Sequence, residues 1–456
     1  MNTLIYTSCL GLFCMVAEIL DLRKLLIPLV LIGLGVIFYV NLGDWGQTTS
    51  YYNNMMRVDN FSVAFSGLAI VLSALIFVLS ADFYHNEEKH ISDYLAILVF
   101  TLCGAMIMFS FSNMAMLFLG IEILSISLYI MAGSKQHDVR SNEAGFKYFL
   151  MGSFASGFLL FGIALIYGAT NSFHIGNIAA YVSAGQISPM FYVGMLMMLV
   201  AMLFKVAVVP FHFWSPDVYE GSPALVTAFM STLVKIAAFG AFYRLFYLCF
   251  FDSLNYIVII LGVVTAATII LGNLVALSQT NFKRLLAYSG ISHAGYLMLA
   301  VMSMKTGTAS AIFYYASGYG IATIGSFAVA ILVFKAMKSE NIEAFNGLGK
   351  KNPFLAAALT MSMLSLAGIP PFAGFLGKYY IFSEAIKNGL FGLTITAIIT
   401  SIIGVYYYFK VILAMYTKEA DETSVQSNIA YTTIIIVCVS VSLLLGLFPD
   451  KLMNIF

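Results

Sequence analysis

Charge is what this chain of 456 residues has least of: Asp, Glu, Lys and Arg make up 9% of it, against about 25% in an ordinary soluble domain. With 61% hydrophobic residues, it has too little polar surface to cover a water-soluble fold and reads as a polytopic membrane protein. A single-signed field is missing too. The net charge of +1 gives no reason to expect nucleic acid or a large acidic partner, and lipid and other helices are the partners implied. Redox and metal motifs are absent. The five cysteines (Cys9, Cys14, Cys103, Cys249, Cys438) include no C-x-x-C pair and read as small buried hydrophobes. The six histidines are scattered, and His85 and His90, in a polar loop, read as solvated groups rather than ligands. No G-x-G-x-x-G run exists; Gly347, Gly349 and Lys350 imitate a phosphate loop, but Ala344 stands where its first glycine should be and no Ser or Thr follows. No cofactor is therefore expected in this chain. The N-terminus lacks a basic stretch before its first apolar run, which Glu18 and Asp21 close, so that run reads as a retained helix.

Long uncharged stretches are what the chain has in their place. None of the four charged residue types occurs in residues 148–204, 253–282 or 423–449. Apolar windows bounded by charge, Gly, Pro or Asn predict an all-α fold of about fourteen spans at roughly 20 residues each. They lie near 3–20, 25–42, 61–80, 94–111, 114–132, 144–169, 188–209, 222–247, 254–277, 284–303, 308–336, 354–386, 390–416 and 429–447.

Basic residues are unevenly shared between the two sets of loops. Those after odd-numbered spans hold Arg23, Lys24, Lys89, Lys135, Arg140, Lys283, Arg284, Lys335, Lys338, Lys350, Lys351 and Lys418, twelve in all. The other side holds Arg57, Arg244, Lys305, Lys387 and Lys451. Positive charge stays in the cytoplasm, so both termini are expected on the opposite, outer side of the membrane. Lys410 is expected to snorkel from a helix end.

Four lysines remain inside the apolar runs: Lys147, Lys205, Lys235 and Lys378, with Glu122 inside another. Facing lipid they would cost about 10 kcal/mol together, so they are expected to face a protein interior or a watery path. One such lysine alone could be a buried structural ion-pair partner; four with a single glutamate favour function. Desolvation penalises an ammonium and a nearby carboxylate restores it, so a Lys205 paired with Glu122 could be switched and pass its proton to Lys235. His293 titrates in a useful range but also fits a satisfied core histidine. His212 fits a gate or polar filler, and Asp217 and Glu220 read as loop structure rather than proton carriers.

Two spans look broken. A continuous helix over 353–386 would be about 50 Å long, beyond a hydrocarbon core of about 30 Å. Pro370 and Pro371 cannot donate to the carbonyls of Leu366 and Ala367, which are left for water or a side chain; Pro210 likewise frees that of Val206. Each broken span carries a lysine. Paired interrupted helices are the trace of inverted repeats. Accordingly, helices 1–3 (about 3–80) should precede two inverted five-helix repeats (about 94–247 and 254–416), with a last helix at about 429–447.

Three motifs, FKVAVVPFHFWSPDVYEGSP (204–223), NFKRLLAYSGISHAGY (281–296) and GIPPFAGFLGK (368–378), resemble the subunit N family of bacterial NADH-quinone oxidoreductase, the antiporter-like membrane subunits of respiratory complex I. The likeness covers nearly the whole chain; the first motif is the most specific, and the third is shared more widely among antiporter-like subunits. The resemblance implies fourteen helices in two inverted five-helix repeats. It also implies proton translocation through positions matching Glu122, Lys147, Lys205, Lys235 and Lys378, with NADH oxidation and quinone reduction in other subunits. The lysine at 378, where some sister subunits carry a glutamate, favours subunit N. Implied neighbours are sister antiporter-like subunits and the small helical subunits toward the quinone site. The chain is expected to end nine residues after its last span without the long lateral helix of the most distal sister. A free-standing or Mrp-type cation/proton antiporter subunit shares the lysines and the break; the DVYEG stretch favours complex I. A passive helical scaffold is the third reading.

Overall fold

The computed structural model describes residues 1–20, 22–83, 90–251, 253, 257–304, 307–419 and 424–456; His85, Lys89 and Lys305 lie outside these. The helices are α1 Asn2–Ile19, α2 Arg23–Gly43, α3 Asn60–Phe83, α4 Ile91–Ser110, α5 Met114–Ala132, α6 Val139–Thr170, α7 Ile175–Ser183, α8 Pro189–Lys205, α9 Trp214–Gly221, α10 Ala224–Phe229 and α11 Lys235–Leu245. They continue with α12 Val258–Leu277, α13 Phe282–Ser303, α14 Thr308–Met337, α15 Leu348–Lys351, α16 Pro353–Ala367, α17 Ala373–Lys387, α18 Phe391–Thr417, α19 Ile429–Leu447 and α20 Asp450–Met453. A π-helical turn, Met230–Val234, joins α10 to α11, and a second, Phe246–Phe250, extends α11 at its end. A small antiparallel hairpin, β1 Thr49–Tyr51 with β2 Met56–Val58, is set in register by Ser50 opposite Arg57.

Among the described residues twelve helical stretches are long and apolar enough to cross a membrane, and two shorter apolar helices, α8 and α16, lie in the spans whose sequence marks them as broken. The polytopic all-α fold read from composition is thus what forms. Helix starts follow from side chains that accept a backbone N–H the helix leaves free. Asn113 caps α5, Asp138 α6, Ser188 α8, Asn281 α13, Asn352 α16 and Asn428 α19.

The chain forms two compact units, one of Met1–Ala207 and Leu233–Ile260, the other of Val208–Thr232 and Leu261–Phe456. In the first, α6 lies against α8 so closely that a Cβ on Gly162 would sit 2.8 Å from the carbonyl oxygen of Gly194. Arg244 of α11, counted from sequence as a loop charge, is instead buried. Its Nη1 donates to both carboxylate oxygens of Asp59 at 2.9 and 3.0 Å, and its Nε to the carbonyl of Phe111 at 3.0 Å. A guanidinium with a carboxylate and carbonyls for its N–H groups can be buried where a lone one could not.

In the second unit α13 and α14 are buried almost throughout and carry α16 and α17 on their flank. The break falls where the prolines predict. α16 ends at Ala367 on Gly368, whose φ of +84° is left-handed; the amides of Gly368 and Ile369 both return to the carbonyl of Leu364, at 3.1 and 3.0 Å. A Cβ on Gly368 would lie 2.8 Å from Cδ of Lys378, so both conformation and space require glycine there. The first break departs from expectation: α8 stops at Lys205, not at residue 209, because Val206 is its C-cap and Ala207 is left-handed at φ +57°.

Gly368→Ala should therefore lower the midpoint of thermal unfolding of the purified protein by the equivalent of about 1–2 kcal/mol, the cost of a left-handed alanine, before any displacement of Lys378 is added. An unchanged midpoint would mean that the break tolerates a side chain.

Candidate functional site: buried charges in the two units

The first unit holds four of the residues singled out from sequence. Lys205 is 8% exposed and is the last residue of α8, where an ammonium meets the negative end of the helix dipole. Its Nζ donates to Oγ of Ser125 on α5 at 2.7 Å. Glu122 is one turn earlier on the same helix, where it accepts a hydrogen bond from the hydroxyl of Ser156 on α6. A direct Glu122–Lys205 ion pair, which the sequence leaves open, does not form: each partner bonds to a serine instead. A cavity of about 20 Å³ is lined by both serines, Lys205, Tyr129 and Tyr148. That is room for a single water with polar groups on several sides.

Lys235 is 5% exposed and opens α11 immediately after the π-helical turn Met230–Val234. Such turns recur at functional sites because they displace one residue from the regular ladder. Lys147 is the exception to the expected burial. Its side chain is 40% exposed on α6 and bonds Glu143 at 2.7 Å, an i,i+4 pair.

The second unit holds Lys378 and His293. Lys378 is 7% exposed; from α17 it reaches back across the break and donates to the carbonyl of Ala367 at 2.7 Å. That is one of the two acceptors the prolines free. Its ammonium also lies 5.4 Å from the ring centre of Tyr296, within cation–π range. His293, 3% exposed, has both ring nitrogens engaged: Nδ1 with the hydroxyl of Tyr315 and Nε2 with that of Tyr408 at 3.0 Å. Tyr408 shares a further hydrogen bond with Ser289. Asn273 donates to the Tyr296 hydroxyl at 3.0 Å and accepts from Tyr407 at 3.2 Å. Hydroxyls that both give and accept protons thus surround an imidazole that does the same.

Asp217 and Glu220 take the structural role expected of them: both accept from Nη1 of Arg284, at 2.7 and 3.0 Å. Lys283, placed from sequence in a loop, is buried, with Glu340 at 2.7 Å and the carbonyl of Ser222 at 2.8 Å. Lys410, on α18, donates to the carbonyl of Gln279 just past α12 at 2.8 Å. Lys335, also counted with the loops, is the last-turn basic residue of α14. His90 is exposed, as read. Four cysteines are buried; Cys9 is exposed.

Sequence reasoning missed Ser125, Ser156, Glu143, Glu340, Tyr315 and Tyr408. Two left a legible signal: Glu143 stands four residues before Lys147, and Ser125 three after Glu122, each on the same helix face. Ser156, Glu340, Tyr315 and Tyr408 are brought to the site by tertiary packing alone.

A family model described as "NADH:quinone oxidoreductase/Mrp antiporter, TM" matches residues 111–404. NADH-quinone oxidoreductase subunit N of Flavobacterium psychrophilum is 49% identical, with both chains covered in full. Among solved structures, a chain of respiratory complex I from Thermus thermophilus superposes with a TM-score of 0.83 at 30% identity, over 99% of this chain and 98% of that one. A chain of the Mrp complex from Dietzia sp. DQ12-45-1b reaches 0.89 at 21% identity, over 99% and 95%. That last likeness is one of fold. Full-length identity of this order places the chain in the antiporter-like transmembrane family of NADH-quinone oxidoreductase, within its subunit N group.

Proposed function

We propose that this chain is a non-redox, proton-translocating subunit in the membrane arm of an NADH-quinone oxidoreductase, with Glu122, Lys147, Lys205, Lys235, His293 and Lys378 as its proton-handling groups. The observation that carries the reading is the pair of half-helix ends. Lys205 and Lys378 each hold an ammonium at the C-terminus of an interrupted helix, bonded to a neutral acceptor rather than to a carboxylate. An ammonium fixed by a full ion pair is hard to deprotonate; one held by a hydroxyl or carbonyl can lose its proton when the local field changes. The cavity lined by Lys205, Ser125 and Ser156 has room for a water beside Lys205, and Ser156, which bonds Glu122, links that space to the carboxylate, so a proton can pass without either side chain leaving its serine. In the second unit the His293–tyrosine cluster offers the same kind of relay.

In this reading electrons move from NADH to quinone in other subunits, and what reaches this chain is a change of electrostatic field. Lys147 sits on a face of α6 that also exposes Phe146, Phe149, Leu150 and Phe154. In lipid that half-exposed ammonium would be costly, which favours cover by a sister antiporter-like or small helical subunit. The lysine and arginine count supports an inner-membrane orientation with both termini periplasmic.

Arginine keeps a positive charge and hydrogen-bond donors but does not deprotonate. Lys205→Arg and Lys378→Arg should therefore allow assembly and still cut NADH-driven acidification of membrane vesicles by about tenfold or more, the range for losing a positioned proton carrier. Unimpaired pumping in both arginine variants, with normal assembly, would leave the lysines a purely structural role.

Affinity purification of the tagged chain from gently solubilised membranes should recover NADH-oxidising activity together with it. Recovery only with other antiporter subunits, and no NADH oxidation, would favour the Mrp-type reading that shares this fold.

A further inference from the structure

Apart from the buried charges, the second unit carries a cavity of about 650 Å³ between α18 and the segments at Thr280 and 341–346. Its lining changes character along its length. Tyr406, Phe409, Leu413 and Ala414 follow the spacing of one helix face and form an apolar strip; Tyr406 and Leu413 are largely exposed. Lys410 interrupts that strip, and at its end stand Lys418 and, from the facing loop, Glu343, Asn341 and Asn346. From Tyr406 to Lys418 is about 18 Å of helix, and α18 is a candidate membrane span that ends at Thr417. The apolar end therefore lies at hydrocarbon depth and the charged end at the headgroup level.

We propose that this cavity is a binding site for one glycerophospholipid with an amine-bearing headgroup, a phosphatidylethanolamine. Its acyl chain lies along Tyr406, Phe409 and Leu413. Its phosphate is taken by Lys418 and by the N–H groups of Lys410 that remain after the bond to Gln279, and its ammonium by Glu343. The lining carries both signs of charge, two lysines and one glutamate, which matches a headgroup with both signs. An amphipathic helix from a partner subunit would also find an apolar strip here, but a mixed-charge patch at headgroup depth fits the zwitterion better. None of the lining residues belongs to the proton-handling set. Lipid retained in a pumping-dead Lys205 variant, or the reverse, keeps this site and the proposed function separable.

The test is native mass spectrometry of the assembled complex, with this chain ejected and its lipid adducts weighed, after exchange into mixed micelles of phosphatidylethanolamine and phosphatidylglycerol. The wild-type chain should retain one phosphatidylethanolamine. Lys418→Gln, an exposed change with no fold contact to lose, should lower its occupancy about fivefold. Glu343→Gln should lower phosphatidylethanolamine but not phosphatidylglycerol, and Lys387→Gln, remote from the lining, should change neither. Equal retention of the two lipids by the wild type, or an adduct indifferent to Lys418→Gln, overturns the proposal. So does a structure of the assembled complex with a protein helix in the cavity.

Discussion

An ammonium inside a lipid layer must find an acceptor that is not water, and in this chain interrupted helices provide the place for it. A regular helix has no spare acceptor in its interior, because every carbonyl is taken by the amide four residues on. Stopping the helix inside the membrane frees a turn of carbonyls and leaves the negative end of the dipole uncovered. Lys378 uses a freed carbonyl directly, that of Ala367. Lys205 uses the dipole, as the last residue of its half-helix, and takes the serine hydroxyl of a neighbouring helix. The lysines thus approach the same kind of electrostatic site from opposite sides of a break, one from the half before it and one from the half after.

Whatever the order of events in pumping, this arrangement has a consequence that an ion pair would not. A buried lysine bound to a carboxylate is locked in its charged form by several kcal/mol. Bound to a hydroxyl or carbonyl, it is stabilised enough to be tolerated and little enough to be discharged. Arg244 is the contrast within the same fold. Its guanidinium is clasped by both oxygens of Asp59 and by backbone carbonyls, and it cannot deprotonate under any protein condition. That residue ties α11 to the start of α3, which is a structural task.

What the sequence made legible divides along the same line. The break at Gly368–Phe372 and the free acceptor at Ala367 follow from proline chemistry, which is local, and the structure places the lysine on that acceptor. The spans follow from hydropathy, with helix ends at Asn, Asp and Ser caps. Partners brought together by packing were not legible. Glu122 and Lys205 invite pairing because their charges are opposite, yet neutral serines intervene, and nothing local marks Ser156 as the residue that takes Glu122. Arg244 and Lys283 looked like loop charges because they lie near span ends; their partners, Asp59 and Glu340, are distant in the chain. Lys147 looked buried because its neighbours are apolar, but Phe146, Phe149 and Leu150 among them face outward with it.

The two most specific motifs gain a physical meaning from how they meet. Asp217 and Glu220, on the short helix after the first break, share the guanidinium of Arg284, while the residue just before it, Lys283, bonds the carbonyl of Ser222 and the carboxylate of Glu340. Residues 204–223 and 281–296 are therefore two halves of one lock: the segment after the break is held to the N-terminal turn of α13, and α13 carries His293 three turns further on. The three side chains are each about a third exposed, so the clamp fixes geometry more than it adds stability. This coupling gives the DVYEG stretch a structural task distinct from that of the buried lysines: it fixes the segment after the break to α13. The lysines at the two breaks are held by a serine hydroxyl and a backbone carbonyl and take no part in that clamp.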